Sequence, residues 1–203
     1  RTWAFYTITK SWMHGKEVPW KNIAISGWVV DPHKKKMSKS KGNVVTPESL
    51  IDQYSSDALR YWASKAKLGS DTIYDENVFK VGQRLATKVF NASKFVFLQI
   101  EDVEEQYLGL ENITEPVDRV WASKMNKVIE ESTHAFENFH YANALSSVEA
   151  AFWEFCDIYL ELVKTRAYKL KDTSEGRSAL ACLSWTWKNF IKLMAPFLPY
   201  ITE

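Results

Sequence analysis

The 203-residue chain has little that would staple, anchor or strongly charge it. Its two cysteines, Cys156 and Cys182, show neither CxxC nor metal-ligand spacing. Both fall inside apolar helical patterns, so they read as buried thiols in a reducing cytoplasm, not as a disulfide. No apolar run approaches the ~18 residues a membrane-spanning helix needs, and no secretory signal opens the chain. An excess of one charge is missing too: 26 basic and 25 acidic side chains leave a formal net charge of +1. That balance excludes a histone-like, wholly electrostatic binder of DNA, and leaves any nucleic-acid contact to local patches. A start methionine is absent, since RTWAFYTITKSWM opens abruptly on Arg1 inside an apolar helical pattern. PFLPYITE stops where Thr202-Glu203 reads as the cap of a further helix. Both ends therefore read as cuts through a longer polypeptide.

What is present is apolar and aromatic. Such residues make up 46% of the chain, and nine are tryptophan, which excludes disorder and supplies a real core. Residues 1–13 suit a helix. Asn22 to Val30 (NIAISGWVV) suits a strand, with Gly27 admitting a close backbone neighbour. Asp31-Pro32 breaks that strand and opens KKKMSKSKGN, residues 34–43, which holds five lysines and two serines. Such a loop can grip a polyphosphate, because each ammonium is a compact charge with three donors. Gly42-Asn43 permits a sharp turn. The plainer alternative is a solvated lysine run. Thr46-Pro47-Glu48 starts one short helix, with hydroxyl cap, proline in the first turn and an acid at the positive dipole end. Ser55-Ser56-Asp57 starts another, and Gly69 to Asp75 is a polar connector. The expected division is 1–72 and 73–203.

The rest reads as four long helices. The first, residues 78–100, carries a stripe of Val78, Val81, Leu85, Val89, Ala92, Val96 and Ile100. An acidic connector, 101–115, leads to a second helix with Val117, Val120, Trp121, Met125, Val128, Ser132, Ala135 and Phe139 inward. The third runs from Tyr141 to Tyr168 with Leu145, Val148, Phe152, Phe155, Tyr159, Leu162 and Val163 inward. The fourth has Leu180, Leu183, Trp187, Ile191 and Met194, and ends before Pro196. Short connections favour antiparallel neighbours and hence a bundle. The aromatic stripes are core and not a base-stacking platform. Asp57 and Arg60 read as capping or packing groups. His14, His33, His134 and His140 have no partners at metal or triad spacing, and no metal site is expected.

Lys36-Met37-Ser38-Lys39-Ser40 spells KMSKS, and with Gly42-Asn43 it resembles the signature loop of the class I aminoacyl-tRNA synthetases. ISGWVVDP before it and FWEFCDIYLELVK (152–164) after it resemble the valyl branch of that family more than the isoleucyl branch. One departure is Tyr54-Ser55-Ser56-Asp57, where relatives more often carry Tyr-Gly-Ala-Asp. The fold this resemblance implies is mainly α: a small α/β remnant of a Rossmann-type catalytic domain, then an antiparallel helical-bundle anticodon-binding domain. The activity it implies is ATP-dependent activation of valine and transfer to tRNA(Val), with ATP and Mg2+ as reactants and a monomer as the unit. The HIGH motif and the inserted editing domain lie upstream in the family, so this chain would be inactive alone.

The resemblance assigns Lys36 and Lys39 to the triphosphate, with Met37, Ser38 and Ser40 shaping the loop. Val29 and Val30 would offer backbone groups to adenine, and Trp3 would line the amino-acid pocket. Lys34, Lys35 and Lys41 are expected to be solvated or RNA-facing. Lys164, Arg166, Lys169 and Lys171 are the basic candidates for tRNA. An isoleucyl relative and a non-catalytic tRNA-binding module remain the alternatives; an ATP-closing loop has no use in the latter.

Overall fold

The computed structural model describes residues 2–203. Helix α1 (Thr2–Gly15) leads through an extended stretch to strand β1 (Val29–Val30). After the lysine loop come α2 (Pro47–Tyr54), α3 (Ser56–Ser64) and strand β2 (Thr72–Ile73). The two strands pair in parallel, Val29 beside Thr72 and Val30 beside Ile73. The strand expected over 22–30 thus shrinks to its last two residues. Its earlier part is not strand among the described residues, although the Ile25 carbonyl accepts from the Gly69 amide at 2.9 Å, and Ile23 and Ile25 lie exposed. Gly27 does admit a close neighbour: a Cβ there would stand 2.0 Å from the Ser70 carbonyl oxygen. The Trp28 amide donates to the Asp71 carboxylate at 2.8 Å, tying the connector to the strand.

The helical part comprises α4 (Glu76–Ile100), α5 (Pro116–Glu137), α6 (Tyr141–Glu154), α7 (Leu160–Lys169), α8 (Ser174–Met194) and the short α9 (Pro199–Thr202). Helices α6 and α7 are one continuous rod, joined by a π-helical segment, Phe155–Tyr159. Side-chain partners fix the directions. Asp118, Lys124 and Glu131 of α5 meet Tyr159, Glu154 and Ser147 in turn, so α5 runs antiparallel to the rod. Phe152 packs on Phe190 and Phe155 on Trp187, so α8 is antiparallel to it as well. Residues 178–184 of α8 are buried on every side, which makes α8 the central helix. The main core gathers Leu85, Val89, Met125, Leu145, Phe152, Phe155, Leu183 and Trp187, while a satellite core joins Leu50, Tyr54 and Ala58 to Phe79 of α4.

The stripes need correction at named positions. Val81, Val117, Val120, Phe139 and Leu162 are exposed. Phe79 and Gly82 face inward on α4, and Asp118 on α5. The connector 101–115 holds two 3-10 turns and buries Ile113. Asp57 and Arg60 act as the sequence suggests. The Asp57 carboxylate accepts from the Tyr200 and Ile201 amides at 3.2 and 2.8 Å, capping α9, and Arg60 donates to the Pro196 carbonyl at 2.7 Å. Thr46 and Ser55 occupy the N-cap positions of α2 and α3, but only the Ser55 hydroxyl accepts a cap hydrogen bond, from Ala58. Both cysteines are free and buried, and burial raises the Cys156 thiol to about 12 and the Cys182 thiol to about 11. No described helix is long and apolar enough to cross a membrane.

Candidate functional site

The lysine loop is built on a frame of hydrogen bonds centred on Asp31 and Asn43. One Asp31 oxygen accepts from the His33 and Lys35 amides at 3.0 and 2.8 Å, and the other from the Asn43 side-chain amide at 2.9 Å. Asn43 in turn accepts from the Ser38 amide at 3.0 Å and donates, at 3.4 Å, to the Lys36 carbonyl. These bonds favour the ionised carboxylate: first the Asn43 side chain, then the Lys35 amide, holds the Asp31 pKa below its ordinary value. Val30 and Lys36 bridge across the loop's base, while Lys39–Lys41 make one 3-10 turn. Gly42 closes that turn in the left-handed conformation, at φ 68°, where a side chain would be strained.

The frame leaves the cations outside. Lys36 and Lys39 are exposed, Met37 and Ser38 half-buried, and the hydroxyls of Ser38 and Ser40 lie 3.2 Å apart. The Lys36 ammonium sits 3.7 Å above the centre of the exposed Trp28 ring, a cation–π contact that holds it beside the strand. Val30 is buried and its carbonyl accepts from Tyr74 at 2.9 Å, whereas Val29 is exposed. Among the described residues no group of three His, Cys, Asp or Glu side chains converges as a metal-ligand set. Trp3 lies on a shallow, exposed groove of α1 with Tyr6, Lys10 and His14, stacked on Trp20 at 5.6 Å. Helix α1 buries none of its residues.

The basic candidates at the far end of the rod divide. Lys164 and Lys169 are exposed, Lys164 paired only with the exposed Glu161 at 3.2 Å, and Lys171 is half-buried. Arg166 is engaged inward. Its guanidinium grips the fully buried Asp118 carboxylate with two bonds of 2.8 Å and also donates to the Glu175 carbonyl. These bonds, the Asp118 contact foremost, raise its pKa further. Asp118 also accepts from Tyr159 at 2.8 Å and from Ser178 at 2.6 Å. The Ser178 oxygen accepts from the Thr114 and Glu115 amides. Arg166 therefore belongs to the architecture of this end, not to a free cationic face. Exposed aromatics also lie outside the core stripes: Phe90 and Phe97 on α4 and Tyr168 on α7.

Sequence reasoning missed Asp31, Asn43 and Asp118. The first two had a signal, an Asp-Pro opening and a Gly-Asn closing the same loop. Asp118 had none, since its partners stand 41 to 60 residues away.

The parallel strand pair carrying the lysine loop and the helical bundle after it each match a known family. Residues 1–75 match the family described as tRNA synthetases class I (I, L, M and V), and residues 118–203 match the anticodon-binding domain of tRNA ligase. The fold is shared with a LeuRS of Agrobacterium radiobacter K84, solved in a ternary complex with tRNA and LeuAMS. That likeness has a TM-score of 0.76 at 19% identity, over 98% of this chain and 24% of that one. Methionyl-tRNA synthetase of Mycobacterium tuberculosis, solved with methionyl-adenylate, is similar at TM-score 0.67 and 19% identity, over 86% of this chain and 35% of that one. In fold and in both matched segments the chain is thus similar to the class I aminoacyl-tRNA synthetases.

Its sequence is similar to valine–tRNA ligases. It is 49% identical to that of Wolbachia sp. subsp. Brugia malayi over 100% of this chain and 24% of the relative. It is 48% identical to that of Thermobifida fusca over 100% of this chain and 23% of the relative. The chain thus spans about a quarter of the length of the curated relatives it matches.

Proposed function

We propose that this chain is the part of a valine–tRNA ligase that supplies the KMSKS loop and the anticodon-binding bundle. The observation that carries the reading is the 49% identity along the whole chain to a valine–tRNA ligase. The two functional parts divide near residues 72 and 73. The substrates are valine, ATP with its Mg2+, and tRNA(Val), and the cytoplasm is where they meet.

When the valine carboxylate attacks the α-phosphorus of ATP, negative charge grows on the departing pyrophosphate. Lys36 and Lys39, exposed on a framed loop, would meet that charge with their ammonium donors. Ser38 and Ser40 add hydroxyl donors, and Met37 sets the loop against its surroundings. Val29 and Val30 stand at the strand edge from which backbone groups would reach adenine, with Val29 the exposed member. Trp3 is assigned to the amino-acid pocket, where its open groove would be completed by chain outside this sequence. At the other end, Lys164, Lys169 and Lys171 would take phosphates, and exposed aromatics would stack splayed anticodon bases.

The test is valine-dependent exchange of pyrophosphate into ATP. This chain alone should give none, and a valine–tRNA ligase carrying it should exchange. In that ligase Lys39→Ala should raise the barrier by about 3–4 kcal/mol, as for loss of one preorganised donor, with valine affinity nearly unchanged. Single-turnover rates equal to the parent would remove Lys39 from the mechanism.

A further inference from the structure

The KMSKS lysines reach outward from a loop whose own packing is slight, so something other than burial must hold its shape. Asp31 lies before the loop and Asn43 after it, and Asp31 is only 8% exposed although the lysines around it are open to solvent. Between them the two side chains make five hydrogen bonds that reach both arms: to the His33, Lys35 and Ser38 amides, to the Lys36 carbonyl, and, through the Asn43 amide, to each other. Lys36 and Ser38, which flank Met37, are thus both tied by their backbones to Asn43, twelve residues from Asp31.

We propose that Asp31 and Asn43 are positioning residues, a clamp that holds the lysine loop in one shape so that Lys36 and Lys39 are preorganised for the triphosphate. The clamp is a property of this chain, and its effect on catalysis rests on the reading of the chain as part of a valine–tRNA ligase. Neither residue touches the reacting atoms; they act through the backbone of residues 33–38.

The polarity of the bonds provides a specific test. Asp31 only accepts, whereas Asn43 donates to Asp31 and accepts from Ser38. Asn43→Asp therefore sets two carboxylates against each other and breaks the clamp. Adding Asp31→Asn restores the bond between the two side chains with roles exchanged and forgoes only the 3.4 Å bond to the Lys36 carbonyl. The side-chain amide then at position 31 would still accept from the His33 and Lys35 backbones through its oxygen. Its nitrogen would donate to the carboxylate then at position 43, which still accepts from Ser38. The five lysines of residues 34–41 make the loop its own reporter, because trypsin cuts an open loop in proportion to its open population.

In this chain N43D, which loses two of the Asn43 bonds, and N43A, which loses all three, should be cut within residues 34–41 at least five- to tenfold faster than the parent. The double variant D31N/N43D should return most of the way to the parent's rate, with far-ultraviolet circular dichroism unchanged throughout. In the ligase carrying this segment, N43D should lower kcat for valine-dependent exchange about tenfold with KM for valine unchanged, and the double variant should recover it. Equal trypsin rates for parent and N43D, or no recovery in the double variant, overturn the clamp. If N43A fails to fold, N43D and its rescue decide alone. If the clamp variants leave exchange untouched while Lys39→Ala abolishes it, the clamp proposal falls and the ligase reading stands. If the ligase carrying this segment gives no valine-dependent exchange even with the parent loop, the ligase reading itself falls.

Discussion

At the scale of single residues, two positions hold energy that local sequence does not reveal. Ser55 sits at φ 92° and ψ 159°, a region that is essentially glycine's own, between α2 and α3. The strain is partly offset by its hydroxyl, which accepts from Ala58 at 3.4 Å. Removing the Cβ relieves about 1–3 kcal/mol of strain, while exchanging a serine cap for glycine costs only a few tenths. Ser55→Gly should therefore stabilise the chain by about 1–2 kcal/mol, read as a shift in the denaturation midpoint at constant slope. A lower midpoint would mean the cap bond outweighs the strain. Asp118 is the opposite case. It is fully buried, satisfied by Arg166, Tyr159 and Ser178, and central to how α5, α7 and α8 meet. Asp118→Ala leaves a guanidinium uncompensated and a tyrosine hydroxyl and a serine without their acceptor. The expected loss is about 3–5 kcal/mol by urea denaturation. Near-parental stability would show that water replaces the carboxylate.

At the scale of elements, periodicity located every long helix and most of the core. Leu85, Val89, Trp121, Met125, Leu145, Val148, Phe152, Leu183 and Trp187 are all buried, as their spacing implies. The errors have one physical source each. On α5, counting apolar residues favoured Val117 and Val120, but Asp118 is the residue that faces inward, because distant partners satisfy it. On the long rod, the buried series Phe155, Tyr159, Val163, Ala167 steps by four, against ~3.6 per turn for an α-helix. Three such steps accumulate about one surplus residue. The π segment at Phe155–Tyr159 absorbs it, and Leu162 is left facing solvent. Deleting the exposed Ile158 should convert that segment to α-helix while keeping Val163 and Arg166 in register. Its melting temperature should stay close to the parent's. Deleting Ala150, within α6, should instead rotate the buried series on one side against the other by about 100° and unfold the bundle. Equal damage from both deletions would show that the π turn is not a one-residue insertion. The loop frame was only half legible: the motif was plain in the string, whereas a clamp that joins residues twelve apart needs a folded backbone to be seen.

At the scale of the whole molecule, the near-zero net charge and the placement of the cations together set what RNA binding can look like. Arg166 is committed to Asp118, so the proposed RNA-facing set at the end of the rod reduces to Lys164, Lys169 and Lys171. With a net charge of +1, long-range attraction adds little, and each phosphate contacted should contribute separately to the salt dependence. Single-stranded or loop RNA releases roughly 0.7 counterion per phosphate and duplex about 0.9. Three contacts predict a log–log slope of about −2 to −3 from this set, and binding that weakens steeply above physiological salt. Replacing the three lysines with alanine should flatten the slope by about that amount, measured by filter binding across a salt series. Arg166→Lys, in contrast, should leave the slope alone and lower the melting temperature, because its charge faces Asp118. Base reading is a separate axis. If Phe90, Phe97 and Tyr168 stack anticodon bases, valine tRNA with a changed anticodon should bind more weakly than its parent at every salt concentration, with parallel lines. Coincident lines would mean that the bundle holds phosphates without reading the anticodon. An unchanged slope in the triple variant would place the phosphate contacts elsewhere on the chain, with the open lysines of the KMSKS loop the next set to test.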